Sequence, residues 1–207
     1  MTQEGIDYRR SEFRRRDGST RIRFLWDQTL VPQTAGEGEE DGGRRPPEGF
    51  QMGVEFSSEQ IDSALAAGDP QQQSQIVPST DSSGHGTAVA GIAAGSSEAY
   101  QGVAVQADLL IVKLGLPDAS SFPRTTEVMR GVTYAVRRAI ELQMPVVINL
   151  SFGNTYGAHD GSSLLERFLD NACVIISITH QGKIPEKNER IRKEKFPVFI
   201  PIFTSNI

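Results

Sequence analysis

The residue best suited to chemistry in this chain is His85. It stands between Gly84 and Gly86 in the stretch DSSGHGTAVAGIAAG, residues 81–95. The run from Ala88 to Ala94 reads as a helix, yet Gly91 lies inside it. Each interior glycine costs about 0.5–1 kcal/mol relative to alanine. Close approach explains that cost: Gly86 and Gly91 let another backbone or a substrate come near, and one reactive side chain is exposed at the amino end of the helix. Phosphate binding is disfavoured. A dinucleotide fingerprint follows a strand, whereas polar residues precede Gly84, and the chain has no Gly-Lys-Ser/Thr of a P-loop. A metal centre is disfavoured too, because His85, His159 and His180 are the only histidines and no two sit at i,i+4 spacing.

The elements that must position His85 follow from patterning. Arg21-Ile22-Arg23-Phe24-Leu25-Trp26 alternates in part and predicts a short strand, in a region otherwise crowded with arginine. Residues 32–49 are Gly, Pro and charge, which predicts a surface loop or insert. Ser57 and Gln60 have capping-box spacing, so a helix opens there, with Ile61, Ala64 and Leu65 inward and Gly68 at its end. Residues 69–80 read as polar loop. Leu109–Leu114 reads as a buried strand. Thr125 or Thr126 can cap the next helix, whose inward face is Val128, Val132, Ala135, Val136, Ala139 and Ile140, and Pro145 stops it. Val146–Ser151 is a second buried strand.

Strand, helix and strand in this order make a right-handed crossover and a parallel sheet, hence an α/β fold. A short helix is expected over Ser163–Leu169 and a third strand over Val174–Ile178. The apolar tail, Phe196–Phe203, has no turn chemistry and no helical period, and patterning assigns it no place in such a domain.

Composition narrows the function classes. Twenty-six acidic against 21 basic residues give a net charge of −5, so nucleic acid is not an expected partner. A single cysteine, Cys173, excludes an internal disulfide framework. No apolar run approaches the ~20 residues that span a bilayer, and MTQEGIDYRR lacks the apolar stretch of a signal peptide. A cytoplasmic protein, or one exported by a part not present here, without a membrane partner, is the expectation.

Gly84-His85-Gly86-Thr87-Ala88-Val89-Ala90-Gly91 resembles the histidine motif of the subtilisin-like serine proteases, the subtilases. The resemblance implies that His85 is the general base of a serine endopeptidase, taking a proton from a serine that attacks a peptide carbonyl, with an aspartate orienting the imidazole. Val112-Lys113-Leu114-Gly115 resembles the family strand that walls one side of the substrate cleft. Asn149-Leu150-Ser151-Phe152-Gly153 resembles the opposite wall. Leu114, Gly115, Ser151, Phe152 and Gly153 are thereby implied to line a groove in which a peptide or protein substrate lies extended, held by backbone hydrogen bonds. Gly5-Ile6-Asp7-Tyr8, Leu25-Trp26-Asp27-Gln28-Thr29 and Tyr156-Gly157-Ala158-His159-Asp160-Gly161 resemble the branch of spore-germination proteases, which holds both active enzymes and pseudoproteases, and a spore-associated location is what that resemblance implies. His159 and Asp160 read as loop structure. The implied fold is a mainly parallel sheet with helices on both faces, incomplete at the carboxyl side. No cofactor is implied, and no cluster of oxygen ligands suits calcium.

The sequence departs from the family pattern at three points. Gln3 stands where the catalytic aspartate is expected, and the neighbouring Glu4 would project from the other face of a strand. The strand predicted over 174–178 leads to Thr179-His180-Gln181-Gly182 and not to the Gly-Asn of the oxyanion site. The Gly-Thr-Ser-Met-Ala nucleophile motif is absent, and Ser162, the best substitute, lacks a Gly-x-Ser-x-Gly elbow. The expectation is an inactive chain: a partial catalytic domain over residues 1–172, then an atypical segment, 173–207, that fits a reading-frame change or an early end.

Overall fold

A computed structural model describes residues 5–33, 44–115, 124–151, 160–181 and 198–203, the stretches 174–181 and 198–203 by their backbone. The elements in chain order are β1 (Ile22–Asp27), β2 (Val54–Ser57), α1 (Ser58–Ala66), α2 (Pro70–Ile76), α3 (His85–Ala94), β3 (Asp108–Lys113), α4 (Thr125–Leu142), β4 (Val146–Ser151), α5 (Leu164–Gln181) and β5 (Val198–Phe203). One sheet has the order β2-β1-β3-β5-β4. β2 runs antiparallel to β1, and β1, β3, β5 and β4 are mutually parallel.

Period-two alternation in β3 divides the core. Leu109 and Ile111 join Ile22, Leu25 and Phe56 beneath α1 and α3. Leu110 and Val112 face the other way and join Trp26, α4 and α5. A strand apolar on both faces is what a parallel sheet covered on both sides requires. The α/β architecture with helices on both faces is thus as expected.

Several local expectations hold. The Ser57 hydroxyl accepts from the Gln60 N–H while the Gln60 side chain accepts from the Ser57 N–H, closing the capping box of α1. α4 buries Val128, Val132, Ala135, Val136 and Ala139 as its spacing predicts, although Ile140 is 40% exposed. Others are corrected. Residues 70–76 are helix, because Asp69 caps the Gln72 N–H and Pro70 fits the first turn. Neither Thr125 nor Thr126 caps α4. Its N-cap is Arg124, whose N–H is taken by the Glu127 carboxylate at 2.6 Å. β4 is not fully buried: it is one of the two edge strands among the described residues, and Val147 is 53% exposed.

The largest differences lie after residue 163. The expected strand over 174–178 is helix, since α5 continues unbroken from Leu164 to Gln181. Its start is fixed by a second capping box, in which Ser163 and Glu166 exchange hydrogen bonds at 3.0 and 3.3 Å. The apolar tail, for which patterning found no place, supplies β5, inserted between β3 and β4.

Candidate functional site

α3 is held at both ends. At its amino end the chain enters through Gly84 at φ +77°, a left-handed conformation that glycine adopts without penalty. The Asp81 carboxylate then collects the free donors of the first turn: the Gly84 N–H at 3.0 Å, the Thr87 N–H at 2.8 Å and the Thr87 hydroxyl at 2.7 Å. Burial alone would raise the Asp81 pKa. The hydrogen bonds from Thr87, Gly84 and Gly5 outweigh it and hold the carboxyl below the usual range. Thr87 also accepts from the Asp7 N–H at 2.9 Å, tying residues 5–8 to the head of the helix.

At the carboxyl end the buried guanidinium of Arg21 donates to the carbonyls of Ala94, Val105, Ala107 and Glu12. A cation there complements the helix dipole as well. The chain then folds back over the end of α3. A Cβ on Gly102 would lie 2.6 Å from the Gly91 carbonyl oxygen, and one on Gly95 would meet the same atom at 2.6 Å. The close approach is to the Gly91 carbonyl and is made possible by Gly95 and Gly102, so the expectation that Gly91 itself admits another backbone is corrected. A Cβ on Gly91 itself would meet only Tyr100, at 4.0 Å.

His85 is the first residue of α3 and is exposed. Its N–H donates to the Ser83 hydroxyl at 3.1 Å, and its imidazole makes no hydrogen bond among the described residues. Ser162 is exposed on the turn before α5, where its N–H donates to Asp160 at 2.9 Å. No described contact joins Ser162 to His85.

The residues expected to wall a groove lie, where described, at the carboxyl ends of β3 and β4. Lys113 and Ser151 are each in register with Phe203 of β5, so these two ends stand one strand apart, about 10 Å. Gly115 has φ +154°, and a Cβ there would meet Thr29 Cγ2 at 2.6 Å, so glycine is required. Its N–H donates to Gln28 Oε1 at 3.3 Å. Leu114 turns inward, 3% exposed, against Trp26 and Val128, and offers backbone and not side chain to this edge. Ser151 is half-buried, its hydroxyl accepting from Asn149 at 2.8 Å. Phe152, Gly153 and His159 lie outside the described residues.

Sequence reasoning missed a buried network beneath this edge. Lys113 Nζ lies 3.3 Å from the Asp27 carboxylate and donates to the Thr80 carbonyl at 2.9 Å. Asp27 also accepts from Ser79 at 2.7 Å, from the Thr29 N–H at 2.9 Å and from the Thr29 hydroxyl. A Cβ on Gly5 would meet the Thr80 oxygen at 2.7 Å. The ends of β1 and β3, the segment from Gly5 and the loop before α3 are thereby locked together. A lysine and an aspartate at facing ends of adjacent apolar strands were the available signal.

The chain is thus an α/β protein with an exposed histidine at the head of α3, whose entry loop is bonded through Thr80 to Lys113 at the carboxyl end of β3. The model of the subtilase family matches residues 4–191, and this chain belongs to that family. Comparison with curated protein sequences gives no match. Among solved structures, that of the Clostridium perfringens CspB protease is similar, with a TM-score of 0.65 and 29% identity. The match covers 82% of this chain and 31% of that one, so this chain spans about a third of the relative's length.

Proposed function

We propose that this chain is a serine-peptidase-type subtilase module that receives an extended peptide along the ends of β3 and β4 and does not cut it unaided. The observation that carries this is the exposed imidazole of His85, which has no carboxylate or hydroxyl partner among the described residues. A general base needs a nucleophile within hydrogen-bond reach and an orienting group behind it. The sequence offers Gln3 where the aspartate is expected and no nucleophile motif. What supports peptide binding is the resemblance of the segments at the ends of β3 and β4 to the family's cleft walls, where backbone pairing would be the main source of affinity.

A second reading, an active endopeptidase, is favoured by family membership and by the likeness to a protein described as a protease. The resemblance of residues 5–8, 25–29 and 156–161 to the germination branch supports a role in spore germination under either reading. A fluorophosphonate probe separates the two. Absence of labelling together with saturable binding of peptides supports the binding module. Labelling that is lost in His85→Ala makes the chain an enzyme.

A further inference from the structure

A cavity of about 220 Å³ lies between residues 47–50 and α4, on the sheet face opposite α3 and His85. Aromatic rings build its apolar wall. Phe50 and Tyr134 meet edge to face with centroids 6.0 Å apart, and both lie against Trp26, at 4.7 and 4.9 Å. Trp26 and Tyr134 are fully buried, so the core fixes this wall.

Two arginines line the cavity, and their states differ. Arg138 is committed: Nε and Nη2 donate to the Glu55 carboxylate at 3.0 and 2.5 Å, and Nη1 donates to Glu141 at 2.6 Å. The Tyr134 hydroxyl donates to Glu55 as well. Arg137 has no carboxylate within ion-pair distance among the described residues, yet it is held in place. Its guanidinium lies over the Phe50 ring, 5.5 Å from the centroid, and a Cβ on Gly49 would come within 2.7 Å of Nη1. Gly49, at φ +80°, thus admits the guanidinium, and ring and backbone confine it. A guanidinium held against an aromatic ring keeps the donors of its edge for a ligand.

We propose that this cavity binds a carboxylate carried on a small apolar body, with Arg137 taking the carboxylate and Phe50 and Tyr134 the body. A guanidinium matches a carboxylate through two parallel hydrogen bonds. The volume falls below the roughly 300 Å³ at which sites for drug-sized ligands begin, and it suits a single ring or side chain. Charge selects a monoanion. Glu48 also lines the cavity and has no ion pair among the described residues, so it opposes a phosphate dianion more strongly than a carboxylate. A free acid and the carboxyl end of a peptide share the required chemistry. The site lies across the sheet from His85 and does not depend on the proposed function.

Calorimetric titration of the full chain tests this with 3-phenylpropionate, with the tripeptide Gly-Gly-Phe bearing a free carboxyl end, and with the neutral amide of each. At least one acid should bind more tightly than its amide, by roughly tenfold or more. Arg137→Met and Arg137→Gln should each abolish that preference. Arg137 is exposed, so both variants should keep the thermal midpoint of the parent. Tighter binding of 3-phenylpropionate identifies a free acid as the ligand, and tighter binding of Gly-Gly-Phe identifies a peptide end. Acids that bind no better than their amides, or not at all, overturn the proposal. A preference that persists in both Arg137 variants overturns it as well.

Discussion

The Asp81 carboxylate accepts from both the N–H and the hydroxyl of Thr87, at 2.8 and 2.7 Å, and so fixes the first turn of the helix that begins with His85. An N-terminal carboxylate satisfies donors that the helix cannot satisfy itself and favours the positive end of its dipole.

Replacing Asp81 with alanine should therefore cost about 0.5–2 kcal/mol, the usual range for losing a cap. The pH dependence has a definite sign. The folded-state pKa of Asp81 is depressed below its unfolded value, burial being outweighed by hydrogen bonds. Its contribution is present above the unfolded value, ~3.9, and is lost as pH falls through the folded one. Urea midpoints of the parent and Asp81→Ala should differ at neutral pH and converge in acid. A difference that persists unchanged at low pH would refute the assignment.

The Lys113–Asp27 pair is buried, with side chains 3% and 0% exposed. Lys113→Met should destabilise by about 3–5 kcal/mol, because it leaves a carboxylate without its cation in a dry site. Adding Asp27→Asn should recover part of that loss, since a neutral amide needs no counter-charge. Denaturant unfolding of the two variants measures both. A double variant less stable than Lys113→Met would point to Ser79 and Thr29 as the partners that matter.

Arg21 gathers four backbone carbonyls, among them Ala94 at the end of α3. Arg21→Met keeps much of the side-chain volume and removes every donor. Each buried acceptor left unpaired costs about 1–3 kcal/mol, so the variant should lose several kcal/mol. Amide hydrogen exchange should quicken first along α3 and residues 102–107. Uniform exchange over the whole chain would mean that Arg21 stabilises the core generally and not the carboxyl end of this helix.

Legibility in the sequence followed the range of the forces involved. The capping box of α1, the apolar face of α4 and the buried β3 were legible, because spacing within a few residues determines each. α2 was missed because its helix rests on one cap, Asp69, and buries nothing. β5 was missed because Pro201 and the absence of turn residues argue against a strand, and only the vacancy between β3 and β4 makes it one. His85 and its glycines were legible as a motif. Asp81, four residues earlier, was not, since its role appears only once the chain turns at Gly84. Arg21 and Lys113 were hidden for a related reason: their partners are carbonyls and a carboxylate remote in sequence.

Gly115 joins two constraints that can be separated experimentally. Its φ of +154° strains any L residue, and a Cβ would also lie 2.6 Å from Thr29 Cγ2. Gly115→Ala should cost on the order of 1–3 kcal/mol from backbone strain, with steric overlap in addition. Thr29→Ser removes the offending methyl yet keeps the hydroxyl that bonds Asp27. The pair Gly115→Ala and Thr29→Ser should therefore regain the steric part and retain the backbone part. Thermal unfolding of the single and double variants reads the two contributions. Full recovery by Thr29→Ser would mean that φ carries no penalty here, and no recovery would mean that the methyl moves aside freely. Because Gly115 is a groove wall in the proposed function, the double variant should still bind peptide more weakly than the parent even where its stability returns.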